Sequence, residues 1–245
     1  MSDQTTLLEE RNKLRSSLLM ALFFVFALWF IRVMELSFGT SLVKLGILPR
    51  HMSGLVGIVT SPLIHGTTKE GLYSHIIHNS LVLIPILGLT LYSYRQIAFK
   101  VIAWLWLMIG FWVWCFAREN YHVGASGLAY GLASFLFFIG IFQRKPSAMA
   151  LSGIILVTHS GMLYGIFPKD PHVSWESHLI GLIAGMVVAF YFRNSGLNLE
   201  PKYSWMKEGN SSESFDFTYT YEDRADQRED IQFRYDYRPK KEGKK

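Results

Sequence analysis

Long apolar segments take up most of the first 194 residues, and they limit more than any other feature what the chain can fold into. The hydrocarbon core of a bilayer, roughly 30 Å thick, is crossed by about 20 helical residues that rise ~1.5 Å each. Six segments of about that length can be read from the sequence: 14–34, 74–94, 97–117, 125–142, 147–167 and 175–192. The sequence therefore predicts an all-α polytopic membrane protein with six transmembrane helices.

Charged residues are distributed very unevenly along the chain. They make up 18% of the 245 residues, yet 21 of them lie among the last 51 and only 22 among the first 194. This predicts an N-terminal segment over 1–13, a membrane domain over 14–194 and a charged tail over 195–245. Residues 215–221 and 231–237 of the tail alternate with a period of two, so we expect either disorder or strands that pair with a partner.

The cations of the first 194 residues lie in short connections, as in proteins whose loops set their orientation in a membrane. Those expected on the cytoplasmic side are Arg11, Lys13, Arg15, Arg95, Lys100, Arg144, Lys145, Arg193 and, just beyond the domain, Lys202. Cations on the opposite side are partly offset by acidic neighbours. Both termini are therefore predicted to be cytoplasmic. The net charge of +5 is not interpreted as a nucleic-acid signal, and the expected surroundings are a lipid bilayer.

No cleavable signal peptide or transit peptide is evident, and no seventh span follows the sixth. We therefore expect a bacterial cytoplasmic membrane rather than a mitochondrial one. The single cysteine, Cys115, excludes an internal disulfide and a cysteine-based zinc site. Zinc-protease, nucleotide-loop and soluble-hydrolase motifs are missing, so no metal and no cofactor are expected.

A long connection, 35–73, separates the first two spans. It contains apolar patches but is interrupted by Pro49, Pro62 and several glycines. This pattern predicts a structured segment that lies at the membrane interface and does not cross it.

Polar residues gather where spans two, four and six begin, and with this topology the three ends share the outer side of the membrane. Polar groups in hydrocarbon are costly and by default suggest function. Ser126 and His178 lie near the starts of spans four and six, where an imidazole could take the proton of an attacking hydroxyl. His75 and Asn79 share one face of span two, and both can donate hydrogen bonds to an oxyanion.

Each of these residues also has a plain structural interpretation. A lone serine in a span often packs helices together, and a buried histidine is more often a satisfied structural group than a catalyst. Small residues spaced four apart let helix backbones approach closely in lipid. Spans four and six each carry such a pair, which would draw Ser126 and His178 together: Gly127 with Gly131, and Gly181 with Gly185.

Three motifs occur in order on spans two, four and six. They are H-x-x-x-N at His75–Asn79, G-x-S-G-x-x-x-G at Gly124–Gly131 and H-x-x-G-x-x-x-G at His178–Gly185. With these motifs and the long first loop, residues 14–193 resemble the rhomboid intramembrane serine proteases. Two departures are visible: Ser177 stands where that family often has alanine, and the tail has no counterpart in a six-helix core.

The resemblance implies a role for each of these residues. Ser126 would be the nucleophile and His178 the general base, while His75, Asn79 and the Ser126 backbone N–H would form the oxyanion hole. Tyr130 would be the aromatic ring under the imidazole. No aspartate stands out as a third member, so we expect a Ser–His dyad with the histidine oriented by packing.

The remaining polar residues within and beside the spans are interpreted as structural. His122, four residues before Ser126, could rival His178 as base, but solvent exposure is expected. His159 should make an interior polar contact in the fifth span, and Arg32 and Glu35 should snorkel or pair with the first loop. His78 and the tryptophans of the third span are assigned to packing; these tryptophans are Trp104, Trp106, Trp112 and Trp114.

The function expected from this pattern is endoproteolysis of the transmembrane segments of other membrane proteins near the outer leaflet. Ser126 would form an acyl-enzyme and His178 would protonate the leaving amine. One alternative is a rhomboid-like pseudoprotease that binds transmembrane clients without cleaving them. A small transporter is disfavoured, because no inverted repeat with broken midplane helices can be read from the sequence.

Overall fold

The computed structural model describes residues 2–66, 73–170 and 173–195, all of which belong to one compact unit. The predicted strands of the charged tail lie outside these residues. The helices are α1 (Ser2–Ser37), α2 (Gly57–Thr60), α3 (Ser74–Ser93), α4 (Ala98–Phe116), α5 (Ser126–Gln143), α6 (Pro146–His159) and α7 (Trp175–Tyr191). Short 3-10 segments cover Leu42–Leu45, Met52–Gly54, Ser61–Leu63 and Ser160–Ile166. The described residues contain no strand, only one isolated bridge between Ile47 and His122.

Five stretches of helix among the described residues are long and apolar enough to cross a membrane. They are Leu7–Ser37, Ser74–Ser93, Ala98–Phe116, Ser126–Gln143 and Pro146–Ile166. The sixth predicted span, Trp175–Tyr191, is an apolar helix of 17 residues. At ~1.5 Å per residue it rises about 26 Å, at the lower end of what a spanning helix needs. The predicted all-α membrane bundle is confirmed.

Two helix boundaries differ from those predicted. α1 begins at Ser2, upstream of the span predicted from residue 14, and its charged first turns contain no glycine or proline. Tyr92 donates a hydrogen bond to Glu10 over 3.1 Å, and Arg95 donates one to Ser16 over 2.9 Å. The fifth span changes from α-helix to 3-10 helix after His159, where Gly161 lowers the helix propensity.

The described part of the first loop is structured and packs on α4, and two tryptophans of α4 hold it there. The indole of Trp106 donates to the carbonyl of Val59 over 3.1 Å, and that of Trp114 donates to the carbonyl of His51 over 2.9 Å. Trp104 is 53% exposed, as a lipid-facing residue would be. Trp104 therefore faces outward, while Trp106 and Trp114 hold the loop and, with Trp112, pack against the core.

Arg32 and Glu35 do not snorkel. Each is only 3% exposed, and the Arg32 guanidinium donates to Glu35 over 2.7 Å. The other carboxylate oxygen of Glu35 accepts the backbone N–H of Leu42 over 2.8 Å, so the pairing with the first loop is present. His159 makes a local contact, with Nδ1 lying 2.6 Å from the hydroxyl of the adjacent Thr158, and the expected interior contact is absent from the described residues.

α5 and α7 pack backbone to backbone. A Cβ at Gly181 would meet the carbonyl of Gly127 and lie 3.2 Å from the nitrogen of Gly131. A Cβ at Gly185 would likewise meet the carbonyl of Gly131. One turn further along α5, the Ser134 hydroxyl donates to the carbonyl of Leu182 over 2.6 Å. Side chains at the two α7 glycines would therefore push the helices apart.

Gly181→Ala should lower the thermal stability of the purified chain, because the methyl group meets backbone that cannot move aside; overpacking of this kind typically costs about 1–3 kcal/mol. Gly153→Ala on α6 is the matched control, since nothing lies within 4 Å of its Cβ position. The control should melt at or slightly above the wild-type temperature. Equal melting temperatures for the two variants in detergent would contradict the close packing of α5 and α7.

Candidate active site

The Ser126 hydroxyl and the His178 imidazole lie within hydrogen-bonding distance of each other. Ser126 is the first residue of α5 and His178 the fourth residue of α7, and His178 Nε2 lies 2.9 Å from Ser126 Oγ. The close packing of the two helices one turn further along brings these side chains together. His178 is 8% exposed, whereas Ser126 is half-buried.

A backbone carbonyl determines which nitrogen of His178 carries the proton. His178 Nδ1 lies 2.8 Å from the carbonyl oxygen of Gly165, which can only accept a hydrogen bond. The neutral ring is therefore protonated on Nδ1, and its Nε2 lone pair accepts the hydroxyl hydrogen of Ser126. We expected packing alone to orient the ring, and this carbonyl could not be found from the sequence because Gly165 belongs to no motif.

Tyr130 is the residue that packs against the His178 ring. Its ring stacks on that of His178 with centroids 4.2 Å apart and planes 6° from parallel, and its hydroxyl donates to the carbonyl of Met162. A Cβ at Gly165 would collide with the Tyr130 hydroxyl and lie 3.0 Å from His178 Nδ1. Only glycine allows the backbone to approach both rings this closely.

His75 and Asn79 meet the backbone just before Ser126. Gly124 has φ of +111°, and a Cβ there would lie 2.8 Å from His75 Nε2 and 3.6 Å from the amide nitrogen of Asn79. The Ser126 N–H, at the start of α5, has no acceptor within its helix. His75 and the Asn79 amide thus lie beside the backbone that leads into Ser126.

A further histidine, which sequence reasoning missed, holds the amide of Asn79. The amide nitrogen donates to His65 Nε2 over 2.9 Å, and the imidazole of His65 is 1% exposed. Burial, and secondarily the nearby His75, lower the pKa of His65 from 6.5 to about 3, so its ring is neutral and able to accept. This bond orients the Asn79 amide and leaves its second N–H available.

The dyad, Tyr130, His75 and Asn79 line a cavity of about 460 Å³. Its polar wall includes His78 and Asn120, while Val82, Ala129 and Met162 give it an apolar part. His78 is exposed toward this space. The cavity has the mixture of apolar walls and few polar groups that is typical of ligand sites.

The side chain of His122 is buried, although the sequence predicts that it is exposed to solvent. It is 3% exposed, not solvent-exposed, and its Nδ1 lies 2.6 Å from the hydroxyl of Ser174. Its Nε2 donates to the carbonyl of Arg118 over 3.0 Å. Since both ring nitrogens are engaged elsewhere, the geometry does not support His122 as a rival base for Ser126.

The comparisons with known proteins identify a family for this chain. Residues 52–195 match the family model of the Rhomboid domain. Uncharacterized proteins of Mycobacterium bovis and Mycobacterium tuberculosis are each 30% identical over 178 residues, 68% of this chain and 71% of the relative. An uncharacterized protein of Mycobacterium leprae is 28% identical over 145 residues, 56% of this chain and 55% of its own. The chain, an α-helical membrane protein, therefore belongs to the rhomboid family.

Proposed function

We propose that this rhomboid protein is a serine endopeptidase that cleaves transmembrane segments of other membrane proteins by a Ser126–His178 dyad. The observation that supports it most is the pair of hydrogen bonds on His178, with Ser126 on one side of the ring and Gly165 on the other. A ring held in this tautomer is a base for the hydroxyl proton. A chain that only binds clients has no need of the arrangement.

The dyad would act in two steps. Ser126 Oγ attacks the substrate carbonyl as His178 Nε2 takes the hydroxyl proton, and the imidazolium then gives that proton to the leaving amine. In the second step His178 takes a proton from water as that water attacks the acyl-enzyme. The imidazolium then returns the proton to Ser126 Oγ as the ester bond breaks. The carbonyl of Gly165 holds Nδ1–H throughout, and its dipole favours the charged ring.

The negative charge on the substrate oxygen would be held by His75, the free N–H of Asn79 and the N–H of Ser126. Groups positioned in advance stabilise such a charge without reorganising during the reaction. His65 contributes indirectly by fixing the direction of the Asn79 amide. The substrate must present an unwound peptide bond, because the carbonyls within a helix are engaged in hydrogen bonds and shielded by side chains.

A fluorophosphonate probe should label the purified wild-type chain and should fail to label Ser126→Ala or His178→Ala. The probe needs both a nucleophilic hydroxyl and a base, so loss in both variants reports the dyad. Ser53→Ala, which removes an exposed serine of the first loop, should be labelled like the wild type. Wild-type protein that melts cooperatively yet stays unlabelled would support the pseudoprotease and overturn this proposal.

Asn79→Ala should lower kcat on a model transmembrane substrate by about 10²–10³ with little change in KM, since it removes one donor to the oxyanion. The control is Asn120→Ala, an exposed asparagine that lines the same cavity, and its kcat should stay within about threefold of wild type. If Asn79→Ala raised KM and left kcat unchanged, Asn79 would act in substrate binding and not at the oxyanion.

A further inference from the structure

His122 joins three parts of the chain that meet beside the dyad. Its backbone pairs with Ile47 of the first loop through two hydrogen bonds of 2.9 and 3.0 Å. Its ring contacts Ser174, the residue just before α7. His122 itself belongs to the connection between α4 and α5, which ends at Ser126. Because it contacts both, a shift of the first loop at His122 would also shift the start of α7, the helix that carries His178.

The hydrogen bonds around this ring have a defined direction. The carbonyl of Arg118 can only accept, so His122 Nε2 carries the proton and Nδ1 is the acceptor. The Ser174 hydroxyl therefore donates to Nδ1, and its oxygen accepts the hydroxyl of Ser177 over 2.6 Å. Burial lowers the pKa of His122, which keeps the ring neutral near pH 7 and preserves this direction.

The chain of hydrogen bonds ends next to both members of the dyad. Ser177 immediately precedes His178, and its Cβ and carbonyl lie within 3.4 Å of the position that a Cβ at Gly127 would take. Gly127 in turn follows Ser126. The Ser177 hydroxyl is thus the last group in this chain of hydrogen bonds, one residue before the base.

α7 lacks the usual side-chain cap at its start. A serine at this position commonly accepts an N–H from the first turn of its own helix, but the Ser174 hydroxyl makes no such bond and turns to His122. A second tether comes from the same connection. Arg118 lies 3.2 Å from the buried carboxylate of Glu176 and donates to the carbonyl of Val173 over 2.7 Å.

We infer that His122 is a positioning residue that, through Ser174 and Ser177, sets the distance and alignment of His178 relative to Ser126. This inference rests on the proposed function of the dyad. Its physical basis is that a base misplaced by about 1 Å can lose two orders of magnitude in rate. His122 lines the same cavity as the dyad. Both of its ring nitrogens are bonded to Ser174 and Arg118, so we assign it no contact with the reacting atoms and no proton transfer.

The test measures the rate and the endpoint of fluorophosphonate labelling on the full-length chain in detergent, together with kcat and KM on a model transmembrane substrate. His122→Ala should lower the labelling rate and kcat by about tenfold to a hundredfold. The labelling endpoint should equal that of wild type, and KM should change less than about twofold. A defect in folding alone would lower the endpoint and leave the rate constant unchanged.

Two further variants separate positioning from general loss of structure. His122→Asn offers an oxygen near the place of Nδ1 to accept the Ser174 hydroxyl, and it should restore most of the rate. Ser174→Ala should slow labelling about as much as His122→Ala, and the double variant should be no slower, because one hydrogen-bond chain is broken in each case. His51→Ala is the control, a histidine whose pair with Glu119 is exposed, and it should match wild type.

Wild-type labelling rates in His122→Ala or in Ser174→Ala would overturn the inference, as would additive losses in the double variant. If His122→Ala does not fold, Ser174→Ala decides the matter. All of these results leave the proposed function intact, because the wild type is labelled in each. An unlabelled wild type would instead overturn the proposed function and this inference with it.

Discussion

The close approach of α5 and α7 is the interaction on which the rest of the structure depends. Helices in lipid gain little from the hydrophobic effect when they associate, so their packing relies on van der Waals contact between small residues. Here the carbonyls of Gly127 and Gly131 occupy the space that side chains at Gly181 and Gly185 would need. This packing fixes the spacing of the two helix starts, and with it the 2.9 Å between Ser126 and His178.

In this protein backbone carbonyls orient the histidine rings, a role that charged side chains often have in other proteins. A carboxylate beside His178 would have to be buried at a large desolvation cost, whereas the carbonyl of Gly165 orients the ring without adding a charge. The change from α-helix to 3-10 helix after His159 brings that carbonyl to the ring, and the missing Cβ of Gly165 lets it come close. A backbone carbonyl also selects the tautomer of His122: the carbonyl of Arg118 accepts its Nε2–H, again without adding a charge.

The first loop and the α4–α5 connection form a scaffold around the site. Trp106 and Trp114 hold the loop to α4, while the bridge between Ile47 and His122 joins it to the connection that leads into Ser126. Gly124 N–H also donates to the carbonyl of Ser61 in the loop. Backbone hydrogen bonds from the first loop therefore hold the segment just before the proposed nucleophile at two residues, His122 and Gly124.

The sequence by itself determined the helical membrane class, because the length of an apolar run can be read directly from the order of the residues. It singled out Ser126, His178, His75 and Asn79 because each falls in a spaced motif. Tertiary structure alone decided the partners of these residues. Gly165, His65 and Ser174 stand in no motif. They reach the site through a 3-10 helix, a loop and a helix start, whose positions depend on packing. The burial of His122 could not be predicted from the sequence either, because the exposure of a histidine in a loop depends on which segments pack over it.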